Sequence, residues 1–140
     1  MKARTTAKRP AAKAAPELDD ALFERRLARH YDELKWLYCE LYHGDIAIAA
    51  LDQECDRVIA AKAADEMLTL QGVRASFVLY RKDDGIYISA RSLGEINVQV
   101  LVETLGGGGN STTAGGQCSG MTVAEAKTPL LRAIDKYFEE

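Results

Sequence analysis

Histidine, cysteine and proline are scarce in this chain of 140 residues, with two, three and three copies. Histidine is the usual acid/base group near neutral pH and a common metal ligand. His30 and His43 stand apart from any carboxylate at ligand spacing, and the carboxylates form no evident acid/base couple. No metal site, no Ser-His-Asp set and no catalytic residue is therefore expected in this chain. Cys39, Cys55 and Cys118 are odd in number, and no two fall at the spacing of about two to four residues that zinc sites use. Neither a zinc centre nor a disulfide framework is expected, and reduced thiols suit a cytoplasmic setting. No apolar run approaches the roughly 20 residues of a membrane-spanning helix. No hydrophobic stretch near the start reads as a secretory signal.

Acidic residues are missing from 1–16, where Lys2, Arg4, Lys8, Arg9 and Lys13 stand among Ala, Thr and Pro. Such a segment buries too little apolar area to order itself and reads as a disordered basic tail. The remaining 124 residues carry 13 basic and 21 acidic side chains, a net of −8. A general polyanion binder needs a basic face, so any phosphate recognition by this acidic body must be local.

What is present begins with a helical stripe. Phe23, Leu27, Tyr31, Leu34, Tyr38 and Leu41 recur every three or four residues, which predicts an amphipathic helix over 17–42, with Trp36 and Leu37 widening its apolar face and Gly44 closing it. After Gly44 the pattern changes. Ile46 to Ala49 reads as a buried strand, 54–70 as a helix and 74–81 as a strand. Asp83-Asp84-Gly85 reads as a hairpin turn and 86–91 as the returning strand. A short helix over 95–105, a strand over 114–118 and a final helix opened by the Thr122/Glu125 capping box complete the pattern. The expected fold is α/β, a single mixed-sheet domain over 43–140 flanked by helices. The helix over 17–42 and the tail over 1–16 precede it.

Two features could carry chemistry. The first is Gly106-Gly107-Gly108-Gly109, which continues into Asn110, Ser111, Thr112 and Thr113. Each glycine loses about 0.5–1 kcal/mol of extra backbone entropy on ordering relative to Ala. Four in a row therefore need a reason. Backbone amides closing on an anion are one reason; a linker or a tight turn is the other. The spacing is neither a Walker A loop nor a dinucleotide fingerprint. The second feature is the strand end Ser89-Ala90-Arg91-Ser92. Period two puts Ser89 and Arg91 on one face, where the planar guanidinium suits a phosphate oxygen. The alternative is a surface ion pair of Arg91 with Glu95 or Asp84.

The segments IAIA (46–49), AAKAADEML (60–68), ASFVLYRKDDGIYISARSLGEINVQV (75–100), GGGGNSTTAGGQ (106–117) and TVAEAKTPLLRAIDKYF (122–138) together resemble the DHH-associated C-terminal domain of bacterial DHH phosphodiesterases, of the type that hydrolyses cyclic-di-AMP. The resemblance covers about 97 of the 140 residues. It implies a substrate-binding domain facing a separate catalytic domain that binds two manganese ions. The candidate ligand residues are then Ser89, Arg91, Ser92, Gly106, Gly107, Gly108, Gly109, Asn110, Ser111 and Thr113. The family loop ordinarily ends in histidine where this chain has Asn110, which keeps a donor and an acceptor but cannot take a positive charge. Residues 1–41 carry none of the Asp/His motifs of the catalytic domain. The expected ligand is cyclic-di-AMP or its linear product pApA. The chain alone is expected to hold no cofactor and to be inactive, with a DHH domain in trans as a candidate partner. Two other readings stand beside this one. One is a module for short single-stranded nucleic acid; the other is a non-catalytic helix-mediated homo-oligomer or gene fragment.

Overall fold

The computed structural model describes residues 36–83 and 85–139. The tail expected over 1–16 and the 17–35 portion of the expected helix lie outside the described residues. Among the described residues nine elements follow in chain order: β1 (Trp36–Tyr42), β2 (Ile46–Glu54), α1 (Arg57–Leu68), β3 (Ala75–Lys82), β4 (Gly85–Ser92), α2 (Val98–Glu103), β5 (Gly108–Gly109), β6 (Thr113–Cys118) and α3 (Val123–Glu139). The described strands form one six-stranded mixed sheet in the order β1-β2-β3-β4-β6-β5. The α/β mixed sheet flanked by helices expected from the sequence is the fold observed.

The expected helix over 17–42 is wrong across its last seven residues, which are strand β1, paired antiparallel with β2. Tyr38 and Leu41 lie three apart and match a helical stripe, yet the segment alternates. Tyr38 and Tyr42 pack on one core cluster, Cys39 and Leu41 on the other. Short apolar runs fit either period, and the aromatic content of this one favours the pleated surface. The turn into β2 places His43 and Gly44 at φ of 60° and 84°, so His43 is a turn residue and not a helix end.

β2 runs parallel to β3, and α1 makes the crossover between them. Burial on both faces explains why Ile46 to Leu51 reads as an unbroken apolar run. On one face Ala60, Ala63, Ala64 and Met67 of α1 meet Ala47, Ala49, Leu51, Val78 and Tyr80. Small alanines let this helix sit close, and Ser76 Oγ donates to the Ala64 carbonyl at 2.7 Å. On the other face Val98, Leu101 and Val102 of α2 and Ala126, Leu130, Ile134 and Phe138 of α3 cover Ile48, Phe77, Leu79, Ile88 and Ala90. The helix starts are capped as their residues direct: Asn97 Oδ1 accepts from Gln99 N–H at 3.0 Å, and Thr122 and Glu125 exchange backbone and side-chain bonds at 2.9 and 3.1 Å.

The two faces are covered unequally. α1 packs on β3 and β4, while α2 lies behind β4, β5 and β6. The α1 side of the β4-β6-β5 end is left as a shelf.

Candidate functional site

That shelf is a cleft of about 560 Å³ between α1 and the β5 edge. Ser89, Arg91, Gly106, Gly107, Gly108, Gly109 and Thr113 all line it, joined by Arg57, Tyr80, Tyr87, Gly115 and Gln117. Cross-strand register explains the convergence. Arg91 pairs with Thr113, Ser89 with Gly115 and Tyr87 with Gln117, while Gly108 pairs with Gly115 from the other side. Arg91, Ser89 and Tyr87 therefore point the same way on β4, and β6 contributes a glycine in front of Ser89. Two strand spacings, about 10 Å in all, separate the backbone of β5 from that of β4, a gap that a phosphate ester can bridge to an arginine side chain.

The tetraglycine segment is neither a linker nor a loose loop. Gly106 turns out of α2 at φ 86°, and its N–H donates to the Glu103 carbonyl at 3.2 Å. The Gly107 N–H donates to the Val102 carbonyl at 2.8 Å. Gly108 and Gly109 are a two-residue edge strand on β6. A Cβ at Gly107 would fall 2.6 Å from Gly116 Cα, and closer still to the Gly115 carbonyl oxygen. A Cβ at Gly109, whose φ is 144°, would fall 2.6 Å from Ala114 Cα. Gly108 alone among the four has open space where a Cβ would go. Two glycines thus serve the close approach of β5 to β6, and the exposed backbone at Gly108 faces the cleft.

Arg91 is held in place. Its Nε donates to Asp65 Oδ1 at 3.0 Å and its Nη1 to the Ala90 carbonyl at 2.9 Å. The side chain is 16% exposed and that of Asp65 63%. Its ion-pair partner among the described residues is thus on α1 and is not Glu95, which pairs with Arg74 instead; Asp84 lies outside the described residues. The remaining Nη2 is a donor the guanidinium can offer to an anion. Arg57, at the first turn of α1, is exposed and brings a second cation. Among the described lining residues there is no carboxylate; Asp65 pairs with Arg91 from beside the cleft.

Three expected ligand residues are placed elsewhere. Ser92 faces away from the cleft and is buried, its Oγ accepting from Gly94 N–H at 2.9 Å. Asn110 Oδ1 accepts from the N–H groups of Thr112 and Thr113 at 3.0 and 2.9 Å, closing the β5–β6 turn. The Ser111 carbonyl accepts from Val98 N–H at 3.1 Å, which ties the same turn to α2. These residues shape the cleft rather than line it. Sequence reasoning missed Arg57, Tyr80, Tyr87 and Gln117. Tyr87 was within reach of the period-two step already used for Ser89 and Arg91, and the Asp-Gly hairpin then sets Tyr80 opposite Tyr87. Burial raises the Tyr80 phenol above its usual range, and the nearby Arg57 guanidinium opposes that rise. Among the described residues no group of three or more His, Cys, Asp or Glu side chains could hold a metal ion. No described helix is long and apolar enough to cross a membrane.

The sheet ends in a glycine edge strand two strands away from the arginine-bearing β4, and comparison with known proteins gives the family. The DHHA1 domain model matches residues 43–140; the chain belongs to the DHHA1 family. It is 53% identical over 103 residues to the cyclic-di-AMP phosphodiesterase PdeA of Listeria monocytogenes, a match covering 71% of this chain and 16% of that protein. It is 49% identical over 104 residues to the cyclic-di-AMP phosphodiesterase GdpP of Bacillus subtilis, with 71% and 16% covered. The chain thus spans about a sixth of the length of these relatives. Among solved structures, the fold is shared with an exopolyphosphatase-related protein of Bacteroides fragilis at TM-score 0.63 and 22% identity, covering 83% of this chain and 35% of the other. It is also shared with the pGpG-specific phosphodiesterase PggH of Vibrio at TM-score 0.53 and 13% identity, covering 84% and 39%. Strand β1 precedes the matched segment yet belongs to the same sheet.

Proposed function

We propose that this chain is the nucleotide-holding domain of a cyclic-di-AMP phosphodiesterase, gripping a phosphate of cyclic-di-AMP or pApA between Arg91 and the Gly106–Gly109 backbone. The observation that carries this reading is the convergence of Arg91, Ser89, Thr113 and the glycine edge strand on one cleft with no acidic side chain among its described lining residues. The relatives that are about half identical to it over 71% of the chain are themselves named as cyclic-di-AMP phosphodiesterases. Hydrolysis belongs to a manganese-bearing DHH domain, joined to this domain or supplied in trans. The division of labour is physical. This cleft offers donors and cations that fix a phosphodiester, while activation of water is left to the metal-bearing domain.

Calorimetric titration of the chain with cyclic-di-AMP and with pApA tests the reading. Both are expected to bind, and Arg91→Ala is expected to weaken binding about 10- to 100-fold, the worth of one charge-assisted hydrogen bond of about 1.5–3 kcal/mol. The variant stays folded, because the Asp65 partner is mostly exposed and such a pair contributes at most about 1 kcal/mol. Absence of binding by both ligands, or an Arg91→Ala variant that binds like the parent, rejects the proposal.

A further inference from the structure

We infer that the Tyr87 end of the cleft is a nucleobase subsite, which makes this domain selective for nucleotides over inorganic phosphates. The inference rests on the reading of Arg91 and the glycine strand as the phosphate grip, and it assigns the opposite end of the same cleft.

Four residues of extended chain separate Tyr87 from Arg91, about 13 Å along β4. The lining changes character over that distance. Around Arg91 stand Thr113, Ser89 and bare glycine backbone, all suited to an anion. Around Tyr87 stand Tyr80, Gln117 and Arg57. The rings of Tyr80 and Tyr87 are stacked, with centroids 5.7 Å apart and planes 24° apart. Tyr80 is only 3% exposed and acts as a fixed backing, whereas Tyr87 is half-buried and reaches the cleft. A phosphate has no use for an aromatic surface, since it offers no π face and pays for losing its water. A base gains both contact area and stacking there. Gln117, directly across β4–β6 from Tyr87 and exposed, offers an amide donor and an acceptor to a base edge. The Arg57 guanidinium can lie flat on a base or meet a second phosphate.

The test is titration of the full chain and three variants with pApA and, separately, with inorganic tripolyphosphate. The parent is expected to prefer pApA. Tyr87→Leu keeps an apolar side chain over Tyr80 but removes the π face, and is expected to weaken pApA about 5- to 100-fold while leaving tripolyphosphate unchanged. Tyr87→Phe restores pApA binding. Arg91→Ala weakens both ligands. If Arg91→Ala weakens both and Tyr87→Leu weakens neither, the base subsite is overturned while the phosphate grip stands. If Arg91→Ala changes neither, the phosphate grip itself falls, and the subsite with it. Should thermal melting show Tyr87→Leu to be unfolded, Gln117→Ala at its exposed position takes its place. Loss of pApA alone then supports the subsite, and equal loss of both ligands overturns it.

Discussion

Replacing Gly107 by alanine should destabilise the domain, while the same change at Gly108 should not, although the two are neighbours in one glycine run. At Gly107 the added methyl would lie 2.6 Å from Gly116 Cα and 2.9 Å from the Gly115 carbonyl carbon. Both are backbone atoms of β6, so no side chain can swing aside. β6 is held by β4 on its other edge through six paired residues, so β5 is the strand that must move. Its pairing consists of two positions, Gly108 with Gly115 and Gly109 with Ala114. Moving it away weakens those ladder bonds, each worth about 0.5–1.5 kcal/mol net, and overpacking of this kind costs about 1–3 kcal/mol in general. A loss near 2 kcal/mol corresponds to a fall of about 1 M in the urea midpoint for a domain of this size. At Gly108 nothing lies within 4 Å of the added methyl and φ is not positive, so stability should stay within about 0.5 kcal/mol of the parent.

Urea unfolding followed by circular dichroism, with equal slopes for the three proteins, measures both values. The same preparations titrated with pApA should show the reverse order for the folded fraction: Gly108→Ala crowds the cleft and binds less. An unfolding midpoint for Gly107→Ala indistinguishable from the parent would refute the packing account and leave ligand approach as the sole reason for the run of glycines.

Two other outcomes follow from the same geometry. Asp65→Asn keeps an acceptor for Arg91 Nε but removes a negative charge beside the guanidinium. Stability should change by less than about 1 kcal/mol, and pApA should bind about two- to fivefold more tightly at low salt with the gain fading as salt rises; looser binding would contradict it. Burial pushes the thiols of Cys55 and Cys118 above their ordinary range, with Asp56 adding to the rise at Cys55. Fewer thiolates are then present at pH 7–8, so iodoacetamide should label half-buried Cys39 first, and mass spectrometry showing Cys55 labelled first would refute this.

From β2 onward every element but the edge strand β5 was legible because its period signals are clean: an unbroken apolar run for a strand buried on both faces, an Asp-Gly signal for the β3–β4 hairpin, and a capping box for α3. β1 was not, because Tyr38 and Leu41 continue the spacing of Phe23, Leu27, Tyr31 and Leu34, and seven residues offer too few repeats to separate period two from period 3.6. At the site, Ser89 and Arg91 followed from alternation alone. Ser92 was included by adjacency, although the same alternation turns it to the opposite face. Asn110 and Ser111 were included because polar side chains beside glycines suggest ligand contacts; here they close a turn, the other habitual use of those residues. Arg57 reaches the cleft only because α1 crosses β3 and β4, a tertiary fact that no local spacing encodes.

The two readings left open for the glycine run, backbone near an anion or backbone near backbone, are not rivals in this fold. β5 approaches β6 because Gly107 and Gly109 carry no side chains, and a Cβ at Gly116 would already stand 3.4 Å from Gly107 Cα. Removing side chains from both strands leaves the α1-facing surface of that sheet end without a layer to fill it, since α1 reaches no further than β4. The cleft lies over that bare backbone, lined by Gly108 and Gly115, and a Cβ at Gly108 would meet nothing within 4 Å. The floor of the cleft is peptide backbone, and β4 bears Arg91 and Tyr87 two positions either side of Ser89. A sequence that kept Arg91 but filled positions 107 and 115 would retain the cation and lose the place to put a phosphate beside it.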